Sequence, residues 1–144
     1  MSVMPRMTDA QWRAFVMTGT RTGKMGVTRA DGRPHVTPVW FVLDGDDIVW
    51  TTHGSGLKAK ALRRDPRASM LVDDQTPPYS FVKIDGTVTL SDDLSEVRKW
   101  AEILGSRYMG ADRAAEYGAR NGVPGELLVR LRAEHVVAMS DISD

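Results

Sequence analysis

Asp31-Gly32 separates two runs of strand-like residues, and this pattern commits that part of the chain to an antiparallel hairpin. Lys24 to Arg29 reads as the first arm. Pro34 to Leu43 reads as the second, with Val36, Pro38, Trp40 and Val42 on one face and His35, Thr37, Val39, Phe41 and Leu43 on the other. Asp44-Gly45-Asp46 makes the next turn, and Asp47 to Thr52 is a third strand. Ala68 to Asp73 is a fourth, Thr76-Pro77-Pro78 a rigid loop, and Tyr79 to Leu90 a fifth strand in which Gly86 marks a bulge. Glu126 to Met139 supplies one or two closing strands. Short strands with turns between them, in 144 residues, predict a mainly β (α+β) domain built as a small antiparallel barrel with peripheral helices.

The helices carry their own signals. Thr8-Asp9-Ala10-Gln11 has the form of a capping box, so a short helix through Trp12, Phe15 and Val16 follows and ends near Gly19. Asp93 with Glu96 starts another, whose apolar positions Leu94, Val97, Ala101 and Leu104 keep helical spacing while Trp100, Ile103 and Tyr108 widen the apolar surface. Glycines break Met109 to Pro124. No repeat or linker divides the chain, which reads as one domain over residues 1–144.

Charge narrows the partners. Nineteen basic and nineteen acidic side chains cancel, so no global field draws the chain to nucleic acid or to an anionic membrane. Without cysteine there is no disulfide scaffold, thiolate nucleophile or Cys-based metal site. Met1 to Arg13 has no apolar signal core, and no apolar run approaches membrane-span length; a cytoplasmic protein is expected. His35, His53 and His135 lack metal-ligand spacing, so no metal is expected either.

The residues richest in chemistry are Thr51-Thr52-His53-Gly54-Ser55-Gly56-Leu57-Lys58-Ala59-Lys60, continuing to Arg63-Arg64-Asp65-Pro66-Arg67. They read as a strand end, a Gly/Ser turn and a short helix stopped by Asp65-Pro66. Lys58 and Lys60 fall where turn meets helix, beside backbone N–H groups that have no partner within the helix. That combination suits a phosphate, although a solvated basic helix face is the commoner fate of such a run. Trp40 reads either as core or as the wall of a binding site. Thr51 and Thr52 point to opposite faces of their strand, so only one of them can look into a cleft.

Ala30-Asp31-Gly32-Arg33-Pro34-His35-Val36-Thr37-Pro38-Val39-Trp40-Phe41, then Lys58 with Leu62-Arg63-Arg64-Asp65-Pro66-Arg67-Ala68-Ser69-Met70-Leu71-Val72-Asp73, resembles the pyridoxamine 5'-phosphate oxidase-like split β-barrel superfamily. Its deazaflavin (coenzyme F-420)-dependent reductase branch is the nearest likeness, and Pro77-Pro78-Tyr79 followed by Gly86-Thr87-Val88 is similar to that branch too. The resemblance runs from about Met25 to Leu90, with an echo in Glu126 to Val136. It implies an FMN-binding split-barrel fold and a homodimer with cofactor sites between subunits. Lys58 is implied to pair with the cofactor phosphate, Pro38, Val39 and Trp40 to run along the ring, and Thr51, Thr52, Ser55 and Gly56 to face the phosphate-bearing tail. The partner's Tyr79 is implied to cover the ring. Where family members often carry arginine or serine two residues before the lysine, this chain has Gly56, which leaves Ser55 or Lys60 to assist.

The implied activity is hydride transfer between reduced deazaflavin and a small unsaturated or quinone-like substrate. The cofactor carries that chemistry, and the chain accordingly shows no catalytic constellation of its own. Two alternatives share the fold: an FMN-dependent oxidase or reductase, and a non-enzymatic barrel that holds flavin or haem without turnover.

Overall fold

A computed structural model describes residues 6–144; the first five, part of the stretch read for a signal core, lie outside the described residues. Seven strands form one antiparallel sheet: β1 (Gly23–Thr28), β2 (Pro34–Val39), β3 (Val42–Asp44), β4 (Asp47–His53), β5 (Arg67–Asp74), β6 (Ser80–Ser91) and β7 (Glu126–Met139). Their order across the sheet is β2-β1-β5-β6-β7-β4-β3. β2 and β3 are thus the two opposite edges, yet only Trp40 and Phe41 join them. A span of two residues forces the edges together, so the sheet curls into a barrel whose ladder stays open at that seam. This is the split β-barrel the resemblance implied.

The break at Trp40–Phe41 corrects the reading of Pro34 to Leu43 as one strand. Its faces nevertheless hold. Val39 and Phe41 enter the barrel core, whereas Trp40 and Val42 join a second cluster outside it. The barrel interior is filled by Met25, Val27, Ile48, Trp50, Met70, Val72, Ile84 and Leu131, and Trp12, Val16 and Leu62 of the first two helices pack into the same core. The continuous apolar run Ile48-Val49-Trp50 follows from this layering: Ile48 and Trp50 face inward, while Val49 faces the outer helix.

Helix α1 (Asp9–Val16) begins with the expected capping box, the Gln11 amide donating to Thr8 Oγ1 at 3.2 Å and Thr8 N–H to Gln11 Oε1 at 2.8 Å. Helix α2 (Leu57–Arg64) stops at Asp65, ahead of Pro66. Helix α3 (Leu94–Met109), N-capped by Asp93, lies over β3, β4 and β7 through Val97, Trp100 and Leu104. Leu94 and Ile103, expected on its apolar face, are exposed instead. A short 3-10 turn leads to α4 (Ala114–Asn121), where glycines had left the helical extent open.

Gly86 sits at the one register shift between β6 and β7. A Cβ there would overlap the Arg132 carbonyl oxygen, so the close backbone approach, more than flexibility, requires glycine. The last stretch is a single strand of 14 residues.

Candidate functional site

Gly54-Ser55-Gly56 turns the chain from β4 into α2, and backbone bonds fix its shape. Gly54 N–H donates to Gly125 O at 2.8 Å, Gly56 N–H to His53 O at 3.0 Å, and the Arg63 guanidinium reaches back to Gly54 O at 2.7 Å. Arg64 likewise donates to Thr28 O at 3.0 Å. Both arginines therefore hold the turn and helix in place rather than facing a ligand.

Gly56 is the N-cap of α2 and contributes no side-chain bond; the first backbone bond of the helix is Lys60 N–H to Gly56 O at 3.1 Å. The leading amides of α2 thus have no intrahelical partner. Lys58 stands in this first turn, half-buried. Burial holds its ammonium below the usual lysine pKa, and no carboxylate offsets that cost among the described residues.

A cleft of about 480 Å³ opens at this point. Of the residues read from the sequence, Pro38, Val39, Trp40, Thr51, Thr52, Gly56 and Lys58 line it together. Thr52 is nearly buried and Thr51 half-exposed, and strand alternation puts Thr51 on the side of Val49, under α3. Ser55 is exposed in the turn beside the cleft. Lys60 points elsewhere, into a neighbouring hollow with Arg29 and Arg64. Tyr79 is farther off, at φ 63° in a loop against Ile142 and Phe81, so within one chain it does not meet Lys58.

Trp40 is both wall and packing residue. Its ring stacks on Tyr108, centroids 5.1 Å apart and 3° from parallel, and meets the edge of Tyr117 at 5.6 Å. Tyr117 reaches it because α3 and α4 cross at Gly105, where a Cβ would strike the Tyr117 side chain at 2.5 Å. Behind Trp40, Arg107 braces the crossover, donating to Phe41 O at 2.6 Å, Val16 O at 2.7 Å and Gly19 O at 3.1 Å. The Tyr108 hydroxyl donates to Arg21 O at 2.8 Å and accepts from Phe41 N–H at 3.2 Å. Burial raises the Tyr108 pKa, which keeps that hydroxyl a donor.

Sequence reasoning missed His35, His53, Ala101, Asn121 and Glu126, which line the cleft as well, alongside Leu57 and Leu104. None carries a local motif; strand pairing and helix packing bring them in. The arrangement offers one desolvated cation and free amides at one end and an apolar, aromatic wall beside them. It suits an elongated ligand with an anionic head and a flat body. Among the described residues no group of three or more His, Asp or Glu side chains is placed to hold a metal, and no helix is long and apolar enough to cross a membrane.

Comparison with known proteins agrees with the fold. A conserved hypothetical protein from Mycobacterium tuberculosis superposes with a TM-score of 0.84 at 24% identity, covering 99% of this chain and 90% of that one. An F-420 reductase gives 0.68 at 21% identity over 85% and 94% of the two chains. A FAD-binding protein from Mesorhizobium loti gives 0.70 at 17% identity over 95% and 96%. These likenesses establish a shared fold. The sequence profile described as pyridoxamine 5'-phosphate oxidase matches residues 8–140, nearly the whole chain, and so the chain belongs to the pyridoxamine 5'-phosphate oxidase family.

Proposed function

We propose that the cleft binds a deazaflavin, coenzyme F-420, and that the protein transfers a hydride between this cofactor and a small unsaturated or quinone-like substrate. The carrying observation is Lys58: a half-buried ammonium with no carboxylate partner among the described residues, in the first turn of a helix whose N-cap has no side chain to bond its amides. A buried cation without a counter-charge is costly unless a ligand supplies one. The residues fit a phosphate-bearing ring cofactor at both ends, since Pro38, Val39 and Trp40 offer an apolar flank to a flat ring.

When bound, a reduced deazaflavin supplies hydride from ring C5. The chain's part is to anchor the phosphate at Lys58 and the α2 amides, to hold the ring along the Trp40 wall, and to keep that wall rigid through Tyr108 and Arg107. We further propose a homodimer in which a second copy covers the ring, with its Tyr79 segment reaching over the open side. The wide mouth of the cleft and the exposed outward residues Pro34, Val36 and Pro38 of edge strand β2, Val36 at 61% exposure, support a covering surface there.

The family contains oxidoreductases, and the F-420 reductase and FAD-binding neighbours make deazaflavin and flavin the ligands to compare. Fluorescence titration of the purified protein with F-420 and, in parallel, with FMN tests the proposal. Micromolar or tighter binding of F-420 with weaker FMN binding is the expected result. A reversed preference moves the activity to flavin chemistry, and binding of neither removes the cofactor reading.

A further inference from the structure

The chain has five lysines: Lys24, Lys58, Lys60, Lys83 and Lys99. Two are held in ion pairs, Lys24 with Asp73 at 3.1 Å and Lys83 with Asp85 at 3.2 Å. Lys99 is exposed, its ammonium 5.3 Å from the centre of the Trp100 ring. Lys60 is exposed too, in the hollow that Arg29 and Arg64 border. Lys58 alone combines partial burial in a concave cleft with the lack of a carboxylate partner among the described residues.

An amine is a nucleophile only when it is unprotonated. A carboxylate partner keeps it as ammonium, and burial without one does the reverse, so Lys58 is held nearer its nucleophilic form than a paired lysine. Its place in the helix aims it. Side chains tilt toward a helix N-terminus, so that of Lys58 runs back over the first turn, where the Leu57, Lys58 and Ala59 amides have no intrahelical partner. A phosphate held by those amides therefore leaves its substituent beside the amine. Lys60 stands two residues on, a spacing that does not share a helix face. The cleft and the Lys60 hollow meet at Leu57, and Arg29, Lys60 and Arg64 keep the surroundings positive even when Lys58 is uncharged. The one acid in that hollow, Asp31, is paired with Arg33 at 3.3 Å. An anionic acyl donor is thus drawn to the amine best placed to attack it.

We infer that Lys58 is an acylation site and that its donor is an acyl phosphate. The amine attacks the carbonyl carbon, a C–N bond forms, and the bond from that carbon to the bridging oxygen breaks. Inorganic phosphate leaves with the electron pair and takes up the amine proton; nothing is oxidised or reduced. The amide produced is neutral, so acylation closes the anion end of the cleft, and a bound phosphate ligand shields Lys58 from acylation in return. The inference rests on the phosphate end of the proposed site and does not depend on which ring compound fills the rest.

The probes are acetyl phosphate and acetic anhydride, the second an acyl donor without phosphate. Peptide mass spectrometry reads the initial rate at each lysine of the folded protein. With acetyl phosphate, Lys58 should react about 10-fold or more faster than any of the other four, because binding aligns donor and amine. Inorganic phosphate should slow Lys58 and leave the others unchanged, and with the anhydride the lead of Lys58 should shrink. Lys58→Arg should lose the fast phase while Lys60 keeps its slow rate. Acetylation of Lys60 as fast as Lys58, a Lys58 rate that phosphate does not slow, or an equal lead with the anhydride overturns the inference. An F-420 or FMN titration that responds to Lys58→Ala would still leave the cofactor site standing. Fast, phosphate-protected acetylation of Lys58 in a protein that binds neither ring compound upholds the inference and removes the cofactor reading.

Discussion

Lys58 and Arg107 are both cations without a carboxylate partner among the described residues, and their surroundings give them opposite tasks. The Lys58 ammonium faces an open cleft, so its charge is available to a ligand. Lys58→Ala is expected to weaken phosphate-bearing cofactor by one to two orders of magnitude, about 1.5–3 kcal/mol, with a ligand-free melting temperature equal to or above that of the wild type. Parallel titration and thermal denaturation check this. Arg107 spends its donors on three main-chain carbonyls and packs over Phe41 and Tyr108, at 4.7 Å and 4.9 Å from the ring centres. Arg107→Ala should therefore cost about 2–3 kcal/mol of stability, a fall of roughly 5–10 °C in Tm. Arg107→Lys should recover little, since one ammonium cannot span three divergent acceptors. A Tm within a degree of wild type would show that the clamp is dispensable.

At the scale of elements, what was legible in the sequence is what local chemistry decides. Asp31-Gly32 announces the β1–β2 hairpin because Gly32 takes φ 88°, and Thr8 with Gln11 announces α1 because both partners lie within four residues. Gly86 announced the bulge, and Gly86→Ala should cost about 3 kcal/mol or more, seen as a loss of soluble folded protein or a large drop in Tm, since the Arg132 backbone cannot move aside cheaply. The strand break at Trp40–Phe41 was hidden because its cause, Arg107 and Tyr108, lies more than sixty residues away. Glu126 was hidden for the same reason, its place in the cleft being set by pairing with β4. Asp65 ends α2 and is held by Arg67, whose Nε and Nη2 donate to it at 2.9 Å and 2.8 Å; those bonds lower the Asp65 pKa to about 2. A carboxyl lowered on folding stabilises above its ordinary value near 3.8 and loses that contribution as pH falls toward 2. Melts between pH 4 and 2 should show a decline that Asp65→Asn reduces.

For the whole molecule, the balanced charge leaves binding to local fields, and the open side of the cleft argues for a second copy. Light scattering at micromolar concentration should return the mass of two chains. The mass of one chain would leave the cofactor ring uncovered and remove the two-subunit site.

Trp40, one of the two residues that carry the chain from one sheet edge to the other, is also a wall of its cleft. Fastener and receptor are therefore one part, and Trp40 cannot be reshaped to welcome a different ring without loosening the clasp that keeps the cylinder shut. Variation in ligand choice is more freely accommodated at other lining positions, Ala101, Asn121 and Glu126, where no such seam depends on it.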